Sequence, residues 1–228
     1  MATQRFFRLS GLALLIGGVV SFVTSFGGAF FYGQTTSYAN QPLYIVTNVV
    51  LAAATILALL GLPGVYASRA QGFGVVGLVG AALIFIVGCL FGVFLNLVNA
   101  IVIPYLATQA PNLANNSNGP PALFVLFIVG SIFSAVGPVL LAIPLLRGRV
   151  SPRWPAFILL AGAVYGVVSF FVTNGPGSSL ISNLLSAISP MILFVALAAL
   201  GFQTWSHPTL DADGITDDHG ESSRSSTG

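Results

Sequence analysis

Between Arg69 and Arg147 the chain runs from Ala70 to Leu146, 77 residues, without one Asp, Glu, Lys, Arg or His. A water-soluble domain cannot keep so long a segment free of charge, because part of it must reach the surface and be wetted. A lipid bilayer removes that need. One helical pass takes about 20 apolar residues at 1.5 Å each, so the segment holds two passes, out and back, and not four. Leu9–Ser68 and Trp154–Ser206 are likewise free of charge and long enough for two passes each. The expected fold is therefore all-α: a polytopic membrane protein built as a bundle of six transmembrane helices.

The composition agrees. Charged residues make up 5% of the 228 and apolar residues 56%, with a mean hydropathy of +0.96. Soluble domains carry about 25% charged residues. A net charge of +2, with no basic patch interleaved with aromatics, sets nucleic acid aside as a partner. Cys89 is the sole cysteine, which excludes an internal disulfide and a cysteine metal set. All seven cations are Arg. In composition the chain resembles small, Arg-only, Gly-rich multi-span proteins of the bacterial inner membrane, a likeness that attaches it to no family.

Turn signals divide each block. The expected spans are 9–32, 43–67, 73–103, 122–146, 154–173 and 180–205. Arg5 and Arg8 precede the first in the manner of a signal peptide, but its 24 apolar-rich residues exceed a signal core of roughly 7–15, so it is kept as a span. The third is expected to stop at Pro104. Its loop to the fourth carries Pro111-Asn-Leu-Ala-Asn-Asn-Ser-Asn-Gly-Pro-Pro121, which cannot be helical. Pro138 and Pro190 lie inside the fourth and sixth. Residues 206–228 hold all five acids and no aromatic ring, and are expected as a disordered acidic cytoplasmic tail.

Six spans put every arginine on one side. Arg5 and Arg8 precede the first span, Arg69 joins the second to the third, Arg147, Arg149 and Arg153 join the fourth to the fifth, and Arg224 lies in the tail. The positive-inside rule then places both termini in the cytoplasm. Arg8, Arg69 and Arg153 each open an apolar helix with glycines soon after, which suggests three loosely repeated hairpins. Trp154 and Trp205, with Tyr32, Tyr44 and Tyr105, suit the two interfacial belts.

The spans contain no ionisable acid or base. Proton-coupled carriers, metal and haem sites, and intramembrane hydrolases place such groups in the membrane. No catalytic residue, metal or cofactor is therefore expected. The polar residues that remain include Asn48, Asn96, Asn99, Asn183, Ser131, Ser134, Ser169 and Ser189. They serve either interhelical hydrogen bonding or a polar lining, for which the four asparagines, above all Asn48 and Asn183, are the candidates. Pairs such as Gly77/Ala81, Gly88/Gly92, Gly130/Ser134 and Gly162/Gly166 let helices approach closely, within the bundle or in a homo-oligomer. The leading expectation is a non-enzymatic membrane protein with a structural, regulatory or partner-binding role, whose constant partner is the lipid bilayer. The alternatives are a facilitator or channel for a small neutral or apolar solute and, behind it, a lipid-processing enzyme using Arg147, Arg149, Arg153 and His207.

Overall fold

The computed structural model describes residues 2–29, 39–110, 121–147, 153–173 and 180–206, with backbone only at 2, 3, 29, 70, 71, 121–124, 170–173 and 180–187. Among them are six long helical segments and no strand. They are α1 (Ala2–Ala29), α2 (Pro42–Ala67), α3 (70–109), α4 (Pro121–Arg147), α5 (Trp154–Thr173) and α6 (Leu180–Ser206). Five of the six are long and apolar enough to cross a membrane. Leu60, Val75, Ile101, Val125, Phe157 and Val164 are each more than half exposed. In water such a surface would be a liability, and in hydrocarbon it is the solvated state.

Glycines set the arrangement, because a residue without Cβ lets two backbones touch. A Cβ at Gly17 would lie 2.5 Å from Ala58 N, and one at Gly61 2.5 Å from Ser10 O, which packs α1 against α2. A Cβ at Gly201 would lie 2.5 Å from Leu15 N, and one at Gly18 2.8 Å from Phe194 O, which packs α1 against α6. Gly80 meets Leu141 between α3 and α4, and Gly162 meets Ile192 between α5 and α6. Gly88 and Gly92 lie on Leu59 and Thr55 of α2. Along each of these interfaces the contacts advance on one helix as they recede on its neighbour (Gly61 on Ser10 and Ala58 on Gly17, Gly88 on Leu59 and Gly92 on Thr55, Gly162 on Ile192 and Gly166 on Ser189), so these neighbours are antiparallel. With α4 also against α5, the six close into a ring in chain order, the last helix sealing against the first.

The ring is filled at one end. Leu14, Leu62, Val65, Phe73, Ile84, Leu141, Leu145, Leu159, Phe194 and Leu200 form one core drawn from all six helices. The same end carries the described arginines. Arg5, Arg8, Arg147 and Arg153 are exposed, whereas Arg69 is buried. Its guanidinium Nη2 donates to Gln203 Oε1 at 3.2 Å, tying the α2–α3 turn to α6. Arg149, Arg224 and the acidic tail lie outside the described residues.

Two features of α3 depart from the sequence reading. Pro104 does not end the helix, which continues to Gln109. Wide π-helical turns precede it: Leu95 N–H donates to Leu90 O and Ile103 N–H to Val98 O, each five residues back. The chain then re-enters α-helix with Pro104 in its first turn, a position at which proline is tolerated. Near the other end Gly74 breaks the helix, with φ 54° and ψ −163°, a conformation open to glycine almost alone. Tyr66 Oη–H donates to its carbonyl at 3.1 Å. As unbroken α-helix the 38 residues from 72 to 109 would span about 57 Å at 1.5 Å per residue; the break at Gly74 and the wide turns shorten this, but the segment is still longer than a hydrocarbon core of ~30 Å needs. The first helix also starts earlier than expected, at Ala2, since nothing in Thr3–Leu9 opposes helix. Of the aromatics expected at the interfaces, Tyr44 is buried against its neighbours, Trp154, Trp205 and Tyr105 are exposed, and Tyr32 lies outside the described residues.

Candidate functional site

At the end of the ring away from the arginines, the space between α3, α4, α5 and α6 is not filled. A chamber of about 370 Å³ opens there. Its wall follows helical periodicity. On α4 it takes Phe127, Gly130, Ser131, Ser134 and Pro138, residues three, four or seven apart and hence on one face. On α5 it takes Leu159, Gly162, Gly166 and Ser169 at the same spacing. Ser189, Pro190 and Leu193 of α6 and Val87 and Phe91 of α3 complete it.

The chamber exists because the faces of α4 and α5 turned toward each other are made of Gly and Ser where the other faces carry Leu, Val and Phe. The ring of Phe91 lies over Gly130 and against Phe127, with ring centroids 5.4 Å apart, and bounds the chamber on the α3 side. Ser189 Oγ sits across from Gly166, 3.1 Å from where a Cβ would be. Leu159, fully buried, belongs both to the chamber wall and to the core below it.

The polar groups are arranged consistently. Ser131 Oγ–H donates to Phe127 O at 2.7 Å and Ser134 Oγ–H to Ser131 O at 2.8 Å. Ser169 Oγ–H donates to Gly166 O at 3.0 Å. These hydroxyl protons go to carbonyls of their own helices, and what Ser131 and Ser134 keep is the oxygen lone pairs. Pro138 has no N–H, so the carbonyl of Ser134, four residues before it, has no α-helical donor. Pro190 leaves the carbonyl of residue 186 in the same condition.

Of the asparagines expected to line a polar path, Asn48, Asn96 and Asn99 are not among the residues lining this chamber. Asn48 is buried on α2 and its Nδ2–H donates to Tyr44 O at 2.9 Å. Asn96 Nδ2 donates to Phe91 O at 3.1 Å and Gly92 O at 2.8 Å, two carbonyls of the wide π turns. Each thus donates from its amide nitrogen to carbonyls of its own helix. Asn99 is half-buried farther along α3, and the side chain of Asn183 lies outside the described residues. The serines, Pro138, Pro190 and the pairs Gly130/Ser134 and Gly162/Gly166 are visible in the sequence one by one. Their coincidence on facing stripes of two consecutive helices is the signal that marks the chamber.

Among the described residues there is no group of three or more His, Cys, Asp or Glu side chains, and Cys89 is half-buried. His207 lies outside them. Comparison with protein-family models, with curated proteins and with solved structures finds no match to this chain.

Proposed function

We propose that this is a six-span protein of the cytoplasmic membrane that works by binding: it holds a small uncharged molecule in the chamber between α3 and α6, without chemistry of its own. The observation that carries the reading is the chamber itself, a space of about 370 Å³ walled largely by Gly, Ser and Pro faces. Space of that size, largely apolar with a few convergent polar groups, is the usual form of a small-molecule site. At about 30 Å³ per water it would hold roughly a dozen waters. The uncharged wall suits a neutral occupant, since an ion there would have no partner to offset its desolvation. The packed core beneath favours a binding chamber over a pore open at both ends. In this reading the arginine-bearing end faces the cytoplasm with both termini, and the chamber opens toward the other leaflet. The three hairpins then share alternation and glycine contacts, but the π turns of α3 and the shortness of α5 make them unequal repeats.

The test uses the full chain in phosphatidylcholine nanodiscs and a fluorinated neutral probe, 4-(trifluoromethyl)benzyl alcohol, observed by fluorine NMR. A slow-tumbling bound signal is expected with the native chain. It should vanish in Ser131→Phe, which fills the chamber, and persist in Leu78→Phe, which adds the same ring at an exposed position of α3. Equal signals in all three would mean that the probe only partitions into lipid, and would overturn the reading. For topology, reporters placed near Asn116 and Arg149 should fall on opposite faces; the same face would refute six spans.

A further inference from the structure

Gly88, Phe91 and Gly92 share one wide turn of α3. Turns of this kind are rare and recur at functional sites. The two glycines fix it against α2: a Cβ at Gly92 would stand 2.5 Å from Thr55 Cγ2, and one at Gly88 2.7 Å from Leu59 Cδ2. Toward α4 the turn presents Phe91, whose ring lies in the chamber wall. The ring has a berth there because residue 130 is glycine; a Cβ at Gly130 would collide with its Cε2 and Cζ. Phe127 flanks it, with 5.4 Å between centroids.

Asn96, which is buried, stands behind this placement. In unbroken α-helix five residues turn through about 500°, which would put Asn96 roughly 140° round from Phe91. Closing the turn over five residues instead of four sets Asn96 above Phe91. Its Nδ2 donates to Gly92 O, four residues back, at 2.8 Å and to Phe91 O, five back, at 3.1 Å. Asn48, in the regular α2, donates to Tyr44 O, four back. The bond to the fifth carbonyl is what the wide turn adds. It ties the amide to the backbone of the residue whose ring walls the chamber.

We infer that Phe91 sets the size of molecule the chamber admits, and that Asn96 is a positioning residue that holds the Phe91 ring in the wall by clamping the wide turn. The inference rests on the binding role proposed above and adds the residue that limits it. A dry apolar cavity of about 150 Å³ takes one benzene ring, so 370 Å³ takes about two such rings and falls short of three. Truncating Phe91 frees the space of a further ring, its own.

Two neutral probes test this on the full chain in phosphatidylcholine nanodiscs by fluorine NMR: 4-(trifluoromethyl)benzyl alcohol, with one ring, and a trifluoromethyl anthracenemethanol, with three fused rings. Affinities are corrected for partition into empty nanodiscs. The native chain is expected to favour the smaller probe. Phe91→Ala should raise the affinity of the larger about tenfold, the fold-change that ~1.4 kcal/mol of relieved overpacking carries, and change that of the smaller less than threefold. Phe91→Leu should move it in the same direction if the alanine variant fails to fold. Phe94→Ala, which removes an exposed ring from the same turn, should change neither. Asn96→Leu, similar in size but without the amide, should raise the larger probe's affinity about threefold in the native chain and add nothing in Phe91→Ala, because it acts through that ring; Asn96→Ala serves if the leucine variant does not fold. No effect at Asn96, or an equal effect in both backgrounds, would refute the positioning role. An unchanged affinity for the larger probe in the Phe91 variants, or the same gain in Phe94→Ala, would overturn the size limit, while binding of the smaller probe would leave the chamber's role standing. If the smaller probe does not bind the native chain, both readings fall.

Discussion

Replacing Gly201 by Ala adds one methyl group at the contact between the first and last helices. The new Cβ would stand 2.5 Å from Leu15 N, 2.6 Å from Gly11 O and 3.0 Å from Leu14 C. All three are backbone atoms, so no side chain can rotate away. Ordinary Cβ contact begins at 3.4 Å, which leaves about 0.9 Å to be made up by moving α6 off α1. The two helices meet again at Gly18, where a Cβ would lie 2.8 Å from Phe194 O, so separation at one level loosens the other. Overpacking of a close-fitted interior costs about 1–3 kcal/mol. For a chain of this size that lowers the melting temperature by roughly 2–12 °C. The control is Gly27→Ala on α1, where a Cβ meets nothing within 4 Å. It should be neutral or slightly stabilising, since Ala is the better helix former by up to about 1 kcal/mol. Thermal unfolding in a mild detergent, followed by far-ultraviolet circular dichroism, compares the two. If Gly201→Ala melts at or above the native chain, the claim that backbone contact holds α1 to α6 is wrong.

Three further outcomes follow from described geometry. Gly74→Ala should destabilise by about 1–3 kcal/mol through backbone strain alone, whereas Gly72→Ala, equally open but without the positive φ, should not; equal melting temperatures would refute the strain. Ser21 Oγ is fully buried without a hydrogen-bond partner, so Ser21→Ala should raise stability, by about 1 kcal/mol or more in the same unfolding assay, and a loss would show that the hydroxyl is in use. Arg69→Met removes the buried donor to Gln203, at a cost of roughly 1.5–3 kcal/mol, and a double-mutant cycle with Gln203→Leu should give a coupling above 0.5 kcal/mol; simple additivity would separate the two residues.

The all-helical architecture was legible because charge placement and length leave hydrocarbon few alternatives. The 77 uncharged residues after Arg69 can hide their backbone polar groups only as helices, and the turn-rich stretches mark where those helices end. Pro104 misled the reading because its effect depends on the hydrogen-bond register before it, and a switch to wide turns leaves no mark in composition. The chamber was only half legible. Its serines, glycines and prolines are all visible in the chain, but which faces meet depends on the order of helices around the ring, and no pattern within one helix states that order. The asparagines drew attention because an amide in hydrocarbon usually needs a partner. Asn48 and Asn96 find theirs one turn back on their own helices, to whose carbonyls their amide nitrogens donate.

A ring sealed by its first and last members has a consequence for biogenesis. If the chain enters a bilayer from its N-terminus, as the membrane reading proposes, α1 and α2 can pair at once, but the side of α1 that carries Gly11 and Gly18 would stay against lipid until Gly201 and Ala198 emerge, nearly the whole chain later. Until then the opposite wall has nothing to close on, and the half-built bundle is an open sheet of helices. A chain cut short before α6 would leave that stripe of α1 uncovered, so the last helix completes the packing of the first.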